Sequence, residues 1–301
     1  MPSLRHQVLA RVVPRVRRSR ELDDEASERA RIERWHEELD RSLPTGTTPR
    51  FHRRFSVVTE TLPGGSPSYS VVRRGTLPSR TVLYLHGGAF MAPMSAWQVT
   101  YAARMADDLD ARVVLPDYPL APEHTWRDSH RDLVELAERL ATGDELVIAG
   151  DSSGGGLALA IAESMRDRGG PQARRLLLVS PWVDLTTSTP ETAALDAVDP
   201  WLFIGKVRAY AAWWAGSPGD LGRPEVSPAL GDLSGLPPAL MFCGSRDLLV
   251  PGCRLLARRA AEAGWDLTYV EEPDLIHVYP LLPLIPEARR AWRRTVEFLR
   301  D

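Results

Sequence analysis

The stretch that decides the fold covers residues 146–168 and reads LVIAGDSSGGGLALAIAESMRDR. Leu146–Ala149 is a short apolar run that predicts a buried strand, and Gly155–Arg168 has the pattern of a helix. Between them, GDSSG at 150–154 fits G-x-S-x-G, a turn that lifts a serine hydroxyl above a sheet when it joins a strand to a helix. Only Ser152 fits this frame, because Ser153 would need a glycine at position 151. The stretch therefore predicts an α/β fold with Ser152 as a nucleophile.

Outward from this stretch, short runs of Val, Leu and Ile alternate with helical patterns along the chain. Such alternation predicts a mostly parallel sheet covered by helices on both faces. Two runs separated by the turn-rich sequence Pro-Gly-Gly-Ser-Pro predict an antiparallel edge. The predicted strands are Phe55–Thr61, Tyr69–Arg73, Thr81–Leu85, Arg112–Leu115, Arg175–Val179, Ala239–Phe242 and Leu267–Val270, and the further helices are Trp97–Leu109, Asp128–Leu140, Cys253–Ala263 and Glu287–Leu299.

Length and composition exclude several classes of protein. The 301 residues are 44% hydrophobic and 26% charged, as in an ordinary soluble globular domain, and we expect one domain over residues 1–301. The 37 basic and 40 acidic residues argue against a nucleic-acid partner. Cys243 and Cys253 form no CxxC pair, and no cluster has metal-ligand spacing, so we expect no metal and no cofactor. We expect a cytoplasmic location without a membrane span, because residues 1–20 do not resemble a secretory signal.

Two segments outside the alternation predict a helical cap, at about residues 1–50 and 185–236. Residues 1–40 show two amphipathic helical patterns, of which residues 1–20 hold six arginines and no acid. Packing on the body of the protein is the favoured interpretation of the first helix, and a membrane-surface role is the alternative. Residues 185–236 interrupt the sheet pattern at the place where open sheets bind ligands, and they hold Trp201, Phe203, Tyr210, Trp213 and Trp214.

Two further motifs accompany the serine. His86-Gly87-Gly88-Ala89-Phe90 follows a predicted strand, and beside the serine turn it is typical of a loop that offers backbone N–H groups to an oxyanion. Asp117-Tyr-Pro-Leu-Ala-Pro-Glu-His124 lies between these two motifs. With the three motifs in this order, the chain resembles the hormone-sensitive-lipase-like family of α/β-hydrolases over about residues 55–300. That family contains bacterial carboxylesterases and acetyl-hydrolases, and the resemblance implies an α/β-hydrolase fold with a helical cap.

The resemblance also implies roles for particular residues. It assigns the oxyanion hole to Gly87, Gly88, Ala89 and Ser153, with the N–H groups of the last three as donors. It makes His86 a structural residue despite its place in the motif. An apolar but short acyl pocket is predicted from the large aromatic side chains of the segment 185–236 and from Phe90 at the end of the first motif. Its candidate residues are Phe90, Trp201, Phe203, Tyr210 and Trp214.

The acid and the base are expected later in the chain, in the order Ser, Asp, His. Asp247 follows the run Ala239–Phe242, and His277 follows the last predicted strand. Asp274 is a competing acid, because it lies close to His277 in sequence. The family usually has a second acid four residues after the catalytic aspartate, and here Pro251 stands at that place. We predict a triad of Ser152, Asp247 and His277.

These residues indicate a serine carboxylester hydrolase that acts on short-chain acyl esters through an acyl-enzyme intermediate. Its partner would be a small-molecule ester, and the sequence leaves homo-oligomer formation open. An N-acetyl amide deacetylase that uses the same triad is the alternative. A small-molecule receptor is less favoured, because the plant gibberellin receptor, which resembles this family, lacks the catalytic histidine, whereas all three triad positions are filled here.

Overall fold

The computed structural model describes residues 1–17, 24–143 and 145–300, so Arg18 and Arg20 of the basic N-terminal segment lie outside the described residues. The strands in these ranges are β1 Phe55–Thr61, β2 Pro67–Arg73, β3 Arg80–Leu85, β4 Ala111–Pro116, β5 Glu145–Asp151, β6 Arg175–Val179, β7 Ala239–Gly244 and β8 Leu267–Glu272. The helices are α1 Leu4–Arg17, α2 Glu25–Glu37, α3 Phe51–Arg54, α4 Ala96–Asp108, α5 His130–Ala141, α6 Ser153–Asp167, α7 Glu191–Leu195, α8 Ile204–Ala215, α9 Val250–Glu262 and α10 Pro286–Arg300.

The eight strands form one sheet in the order β1-β2-β4-β3-β5-β6-β7-β8. β2 pairs antiparallel with both β1 and β4, whereas every pair from β4 to β8 is parallel. This confirms the predicted α/β-hydrolase architecture with its antiparallel edge. Because the parallel strands share one direction, the loops that follow β3, β5, β7 and β8 meet at the same edge of the sheet. The loop His86–Phe90, the serine turn and the predicted triad residues all follow these strands.

The predicted elements of the alternating region are present, with ends that differ by a few residues. α9 shows the largest shift, since it begins at Val250 where the sequence pattern begins at Cys253. Helices α7 and α8 inside the segment 185–236 were not predicted individually. Gly and Pro punctuation surrounds that segment, and α8 carries apolar residues on most of its faces, so the helical period is weak there.

Two buried clusters cover the two faces of the sheet. One joins β-strand side chains to α1, α4 and α10. The other joins them to α5, α6 and α9, and it also includes Ile32 of α2 and Trp214 of α8. α2 and α8 contact each other directly, because Trp213 Nε1 donates to Glu25 Oε1 at 2.8 Å. Helix α2 of the first predicted cap segment therefore packs on the same face as α8 and against it, whereas α1 of that segment packs on the other face.

Candidate active site

The turn after β5 holds Ser152 in an unusual backbone conformation. Its φ of 51° and ψ of −123° lie outside the regions that L-residues commonly occupy. Two glycines allow β5 and α6 to approach each other closely. A Cβ on Gly150 would lie 2.2 Å from the carbonyl oxygen of Gly154, and a Cβ on Gly154 would lie 2.1 Å from the carbonyl oxygen of Leu85. The close approach of strand and helix that the motif predicts is therefore present, and it places the serine at the carboxyl edge of the sheet.

A hydrogen-bonded relay links Ser152 to two side chains that follow later strands. His277 Nε2 lies 3.0 Å from Ser152 Oγ, and His277 Nδ1 lies 2.8 Å from Asp247 Oδ2. All three side chains are buried. Because Nδ1 faces a carboxylate it carries the proton, which leaves Nε2 to accept a proton from the serine. The structure thus brings together the residues predicted as nucleophile, acid and base.

The carboxylate of Asp247 is held by more than the histidine. Its Oδ1 accepts the N–H of Leu249 at 3.0 Å, and its Oδ2 also accepts the thiol of Cys243 at 3.5 Å. The competing acid is differently placed: Asp274 is exposed, and its backbone N–H donates to the hydroxyl of Ser245. The carboxylate that accepts the hydrogen bond of His277 Nδ1 is therefore that of Asp247. The sequence indicates only that Cys243 belongs to no CxxC pair, and nothing in its spacing reveals the contact with the acid.

The loop after β3 presents backbone N–H groups next to the serine. The N–H of Gly87 donates to Asp151 Oδ1 at 3.0 Å, so it is occupied and does not serve a substrate oxygen. The other three assigned residues differ: within the described residues no acceptor takes the N–H of Gly88, Ala89 or Ser153. Ala89 has a positive φ of 56°, which is uncommon for a residue with a Cβ. The arrangement leaves three donors for a developing oxyanion.

Asp151, inside the serine motif, ties this loop to the nucleophile. Its carboxylate accepts the Tyr84 hydroxyl at 2.6 Å and two contacts from Gln98 Nε2 at 3.1 and 3.0 Å, in addition to the Gly87 N–H. Residue 151 is a variable position of the G-x-S-x-G pattern, so the sequence does not indicate that its carboxylate holds the loop after β3. The buried network fixes the oxyanion loop relative to the turn that carries the serine.

Two of the predicted pocket residues lie in the core. The rings of Phe90 and Trp214 stack with centroids 4.3 Å apart and an interplanar angle of 2°. Both side chains are almost completely buried. His86 also has a structural position, since its ring stacks on Tyr118 at 4.4 Å. The stack of Phe90 on Trp214 holds the loop His86–Phe90 against α8.

The other three pocket residues belong to the segment 185–236. The rings of Trp201 and His277 form a T-shaped contact with centroids 5.8 Å apart and an interplanar angle of 72°. The hydroxyl of Tyr210 donates to Glu28 of α2, and Phe203 is half-buried at the start of α8. Of the predicted pocket residues, Trp201 is the one that the structure places against the relay.

A second buried carboxylate, which the sequence analysis missed, connects the segment 185–236 to the relay. Asp199 Oδ1 accepts the N–H of Trp201 at 2.6 Å and that of Leu202 at 3.1 Å, and Oδ2 accepts the N–H of Leu248 at 2.6 Å. Leu248 adjoins Asp247, and Trp201 covers His277. Burial, followed by the charge of Asp247, raises the pKa of Asp199 to about 6. No spacing in the sequence links residue 199 to residue 248.

The surroundings of His277 predict the pH dependence of the reaction. Burial lowers the pKa of His277, but the charge and hydrogen bond of Asp247, together with Asp199 and Asp151, outweigh burial and raise it above 6.5. The base must be neutral, and its neutral fraction grows as pH rises through the pKa. We therefore expect kcat/KM for a soluble ester to increase with pH and to reach half its plateau above pH 6.5. A midpoint below pH 6.5 would mean that burial affects the pKa of His277 more than the three carboxylates do, and it would contradict the prediction.

Replacing Asp199 with asparagine is expected to lower kcat/KM by roughly ten-fold, because hydrogen bonds to a charged group contribute about 1.5–3 kcal/mol. Asparagine keeps one acceptor oxygen, so its amide must face either the Leu248 N–H or the two N–H groups on the other side. The lost negative charge should also move the pH midpoint downward, which a structural defect alone would not do. Asp196→Asn is the matched control, since Asp196 accepts the Ile204 N–H in the same segment. An unchanged midpoint in Asp199→Asn would refute the charge effect.

The chain is similar in sequence and in fold to known proteins. The sequence pattern of the alpha/beta hydrolase fold family matches residues 82–281. An acetyl-hydrolase of Streptomyces hygroscopicus is 34% identical over 235 residues, which are 76% of this chain and 78% of the relative. The carboxylesterase NlhH of Mycobacterium tuberculosis is 33% identical over 245 residues, 76% of this chain and 75% of the relative. The crystal structure of an esterase from the bacterial hormone-sensitive lipase family superimposes with a TM-score of 0.80 at 26% identity, covering 100% of this chain and 99% of that one.

Proposed function

Because the chain belongs to the α/β-hydrolase family of bacterial hormone-sensitive-lipase-like esterases and acetyl-hydrolases, we propose that it hydrolyses short-chain acyl esters through an acyl-enzyme at Ser152. The protein is a carboxylesterase, a hydrolase of the serine type. The observation that carries the assignment of Ser152, His277 and Asp247 is their continuous hydrogen-bonded relay at the carboxyl edge of the sheet. A cytoplasmic location stays a prediction.

In this proposal, His277 Nε2 takes the proton of Ser152 as Oγ attacks the ester carbonyl. The carbonyl oxygen becomes an oxyanion that accepts the N–H groups of Gly88, Ala89 and Ser153. When the carbon–oxygen bond of the ester breaks, the imidazolium returns its proton to the departing alcohol. A water molecule then attacks the acyl-enzyme with the same base, and the acid product leaves with Ser152 restored. Asp247 keeps the imidazole oriented and stabilises its positive charge.

The cap is proposed to consist of the segments around residues 1–50 and 185–236, and its helices α2 and α8 are proposed to limit the length of the acyl chain. This proposal is supported by the T-shaped contact between the rings of Trp201 and His277 and by the contact of α2 with α8.

The chain-length preference can be measured with p-nitrophenyl esters from acetate to dodecanoate. Each methylene that fits should add up to about 0.8 kcal/mol of binding, so we expect kcat/KM to peak at short chains of about two to eight carbons and then fall. Poor action on emulsified long-chain triglycerides should accompany this peak. A steady rise in kcat/KM through dodecanoate would rule out the short pocket, although ester hydrolysis itself would remain.

Removal of an acetyl group from an amine is a second candidate function. Its support is the similarity to a protein named acetyl-hydrolase, together with the ability of the same relay to protonate an amine leaving group. An N-acetyl amine and an acetyl ester assayed side by side separate the two functions. If kcat/KM for the amide exceeds that for matched esters, the deacetylase is the better description of this protein.

A further inference from the structure

The N-terminal helix α1 is fixed to the body of the protein by one face. Its His6 Nε2 accepts the N–H of Ile276 at 3.2 Å, and Ser3 donates its N–H and its hydroxyl to Glu287 at 2.6 and 2.9 Å. His6 and Val13 are buried. Since Ile276 directly precedes His277, the helix lies against the loop that carries the candidate base.

The opposite face of α1 is apolar and exposed. Leu4, Val8 and Val12 follow one another at intervals of four residues, so they form one stripe along the helix, and they are 73%, 51% and 43% exposed. Leu284, which is 71% exposed, lies beside α1, because its carbonyl oxygen accepts a hydrogen bond from Arg5. Contiguous exposed apolar side chains of this kind usually mark a surface that contacts another phase or molecule.

Arginines border this stripe. Arg5, Arg11 and Arg15 are exposed, and the sequence of α1 contains no acidic residue. Arg11 is seven residues after Leu4 and Arg15 is seven residues after Val8, so both share its face. Within the described residues none of the three arginines forms an ion pair with a carboxylate. The described part of this face therefore combines positive charge with apolar side chains.

We infer that the exposed face of α1 binds an anionic lipid surface. Leu4, Val8 and Val12 would enter the boundary between headgroups and acyl chains, while the arginine side chains reach lipid phosphates. A second copy of the chain fits this face less well, because two α1 helices would bring arginines together with no acid to pair them. The contact of α1 with the loop of His277 then holds the active site close to the layer in which an acyl ester dissolves.

Co-sedimentation with vesicles tests this inference. The full-length protein should sediment with phosphatidylcholine vesicles that contain phosphatidylglycerol, and much less with phosphatidylcholine alone. Leu4→Ser/Val8→Ser/Val12→Ser should lower the partition coefficient by roughly ten-fold or more, because buried apolar side chains contribute most of such binding. Arg11→Gln/Arg15→Gln should remove most of the preference for the anionic vesicles. The matched control is Val58→Ser/Leu77→Ser, which changes exposed apolar residues outside α1 and should bind normally.

Two measurements separate this inference from the proposed function. Hydrolysis of soluble p-nitrophenyl acetate should be unchanged in the α1 variants, and Ser152→Ala should still sediment with vesicles. Equal binding by the wild type and the triple serine variant would overturn the inference. Failure of the wild type to bind anionic vesicles would also overturn the inference. If sedimentation velocity then showed a dimer that the triple serine variant loses, the exposed face of α1 would be a contact between two copies of the chain.

Discussion

Ser152→Ala is expected to lower kcat for ester hydrolysis by about 10⁴–10⁶-fold while the protein stays folded. The reason is the loss of the attacking oxygen: alanine leaves His277 and Asp247 in place but offers no group that can form the acyl-enzyme. The strained backbone at residue 152 accepts alanine as readily as serine, so stability should not fall. Burst and steady-state kinetics with p-nitrophenyl butyrate measure the effect, and circular dichroism checks the fold.

Ser153→Ala is the control for this experiment. The hydroxyl of Ser153 accepts the N–H of Phe90 at 3.3 Å, which is a supporting contact, whereas its own N–H is the proposed oxyanion donor and survives the substitution. We therefore expect a far smaller loss of activity than in Ser152→Ala. If Ser152→Ala retained substantial activity and Ser153→Ala lost it, the nucleophile would have to be reassigned.

The sequence was sufficient to predict those parts of the molecule that depend on local pattern. A strand, a turn and a helix follow one another within residues 146–168, so the position of Ser152 relative to the sheet could be inferred without tertiary information. Asp247 and His277 follow the last two parallel strands, and parallel strands bring their carboxyl ends to one edge. Strand order and a motif were therefore enough to predict three residues that lie far apart in the chain.

What the sequence could not predict are contacts set by packing between distant segments. Asp199 lies in a stretch with weak periodicity, and it reaches Leu248 only because the segment 185–236 packs against the loop after β7. The contact of Cys243 with Asp247 depends on which way the end of β7 turns its side chains. The hydrogen bond between His6 and Ile276 joins residues 270 positions apart, and no spacing rule connects them.

Asp247→Asn should lower kcat by about 10⁴-fold, because the imidazole loses the group that fixes its tautomer. Asp247 offers two acceptor oxygens, one to His277 and Cys243 and the other to Leu249. Asparagine has one acceptor. If its oxygen faces Leu249, its amide donates to His277 Nδ1, which forces the ring proton onto Nε2 and prevents it from accepting the serine proton. If the oxygen faces His277, the negative charge that stabilises the imidazolium is still lost. Steady-state kcat with a soluble ester measures the loss.

Asp274→Asn is the matched comparison, since it makes the same substitution three residues before His277. Its side chain is exposed and the hydrogen bond to His277 Nδ1 belongs to Asp247, so we expect only a small change in kcat. A pH profile adds a second readout. Removing the charge of Asp274 should leave the pH midpoint of the activity almost unchanged, because solvent screens exposed charges. A large loss in Asp274→Asn with near-normal activity in Asp247→Asn would transfer the role of the acid to Asp274. It would also mean that the loop after β8 rearranges when substrate binds.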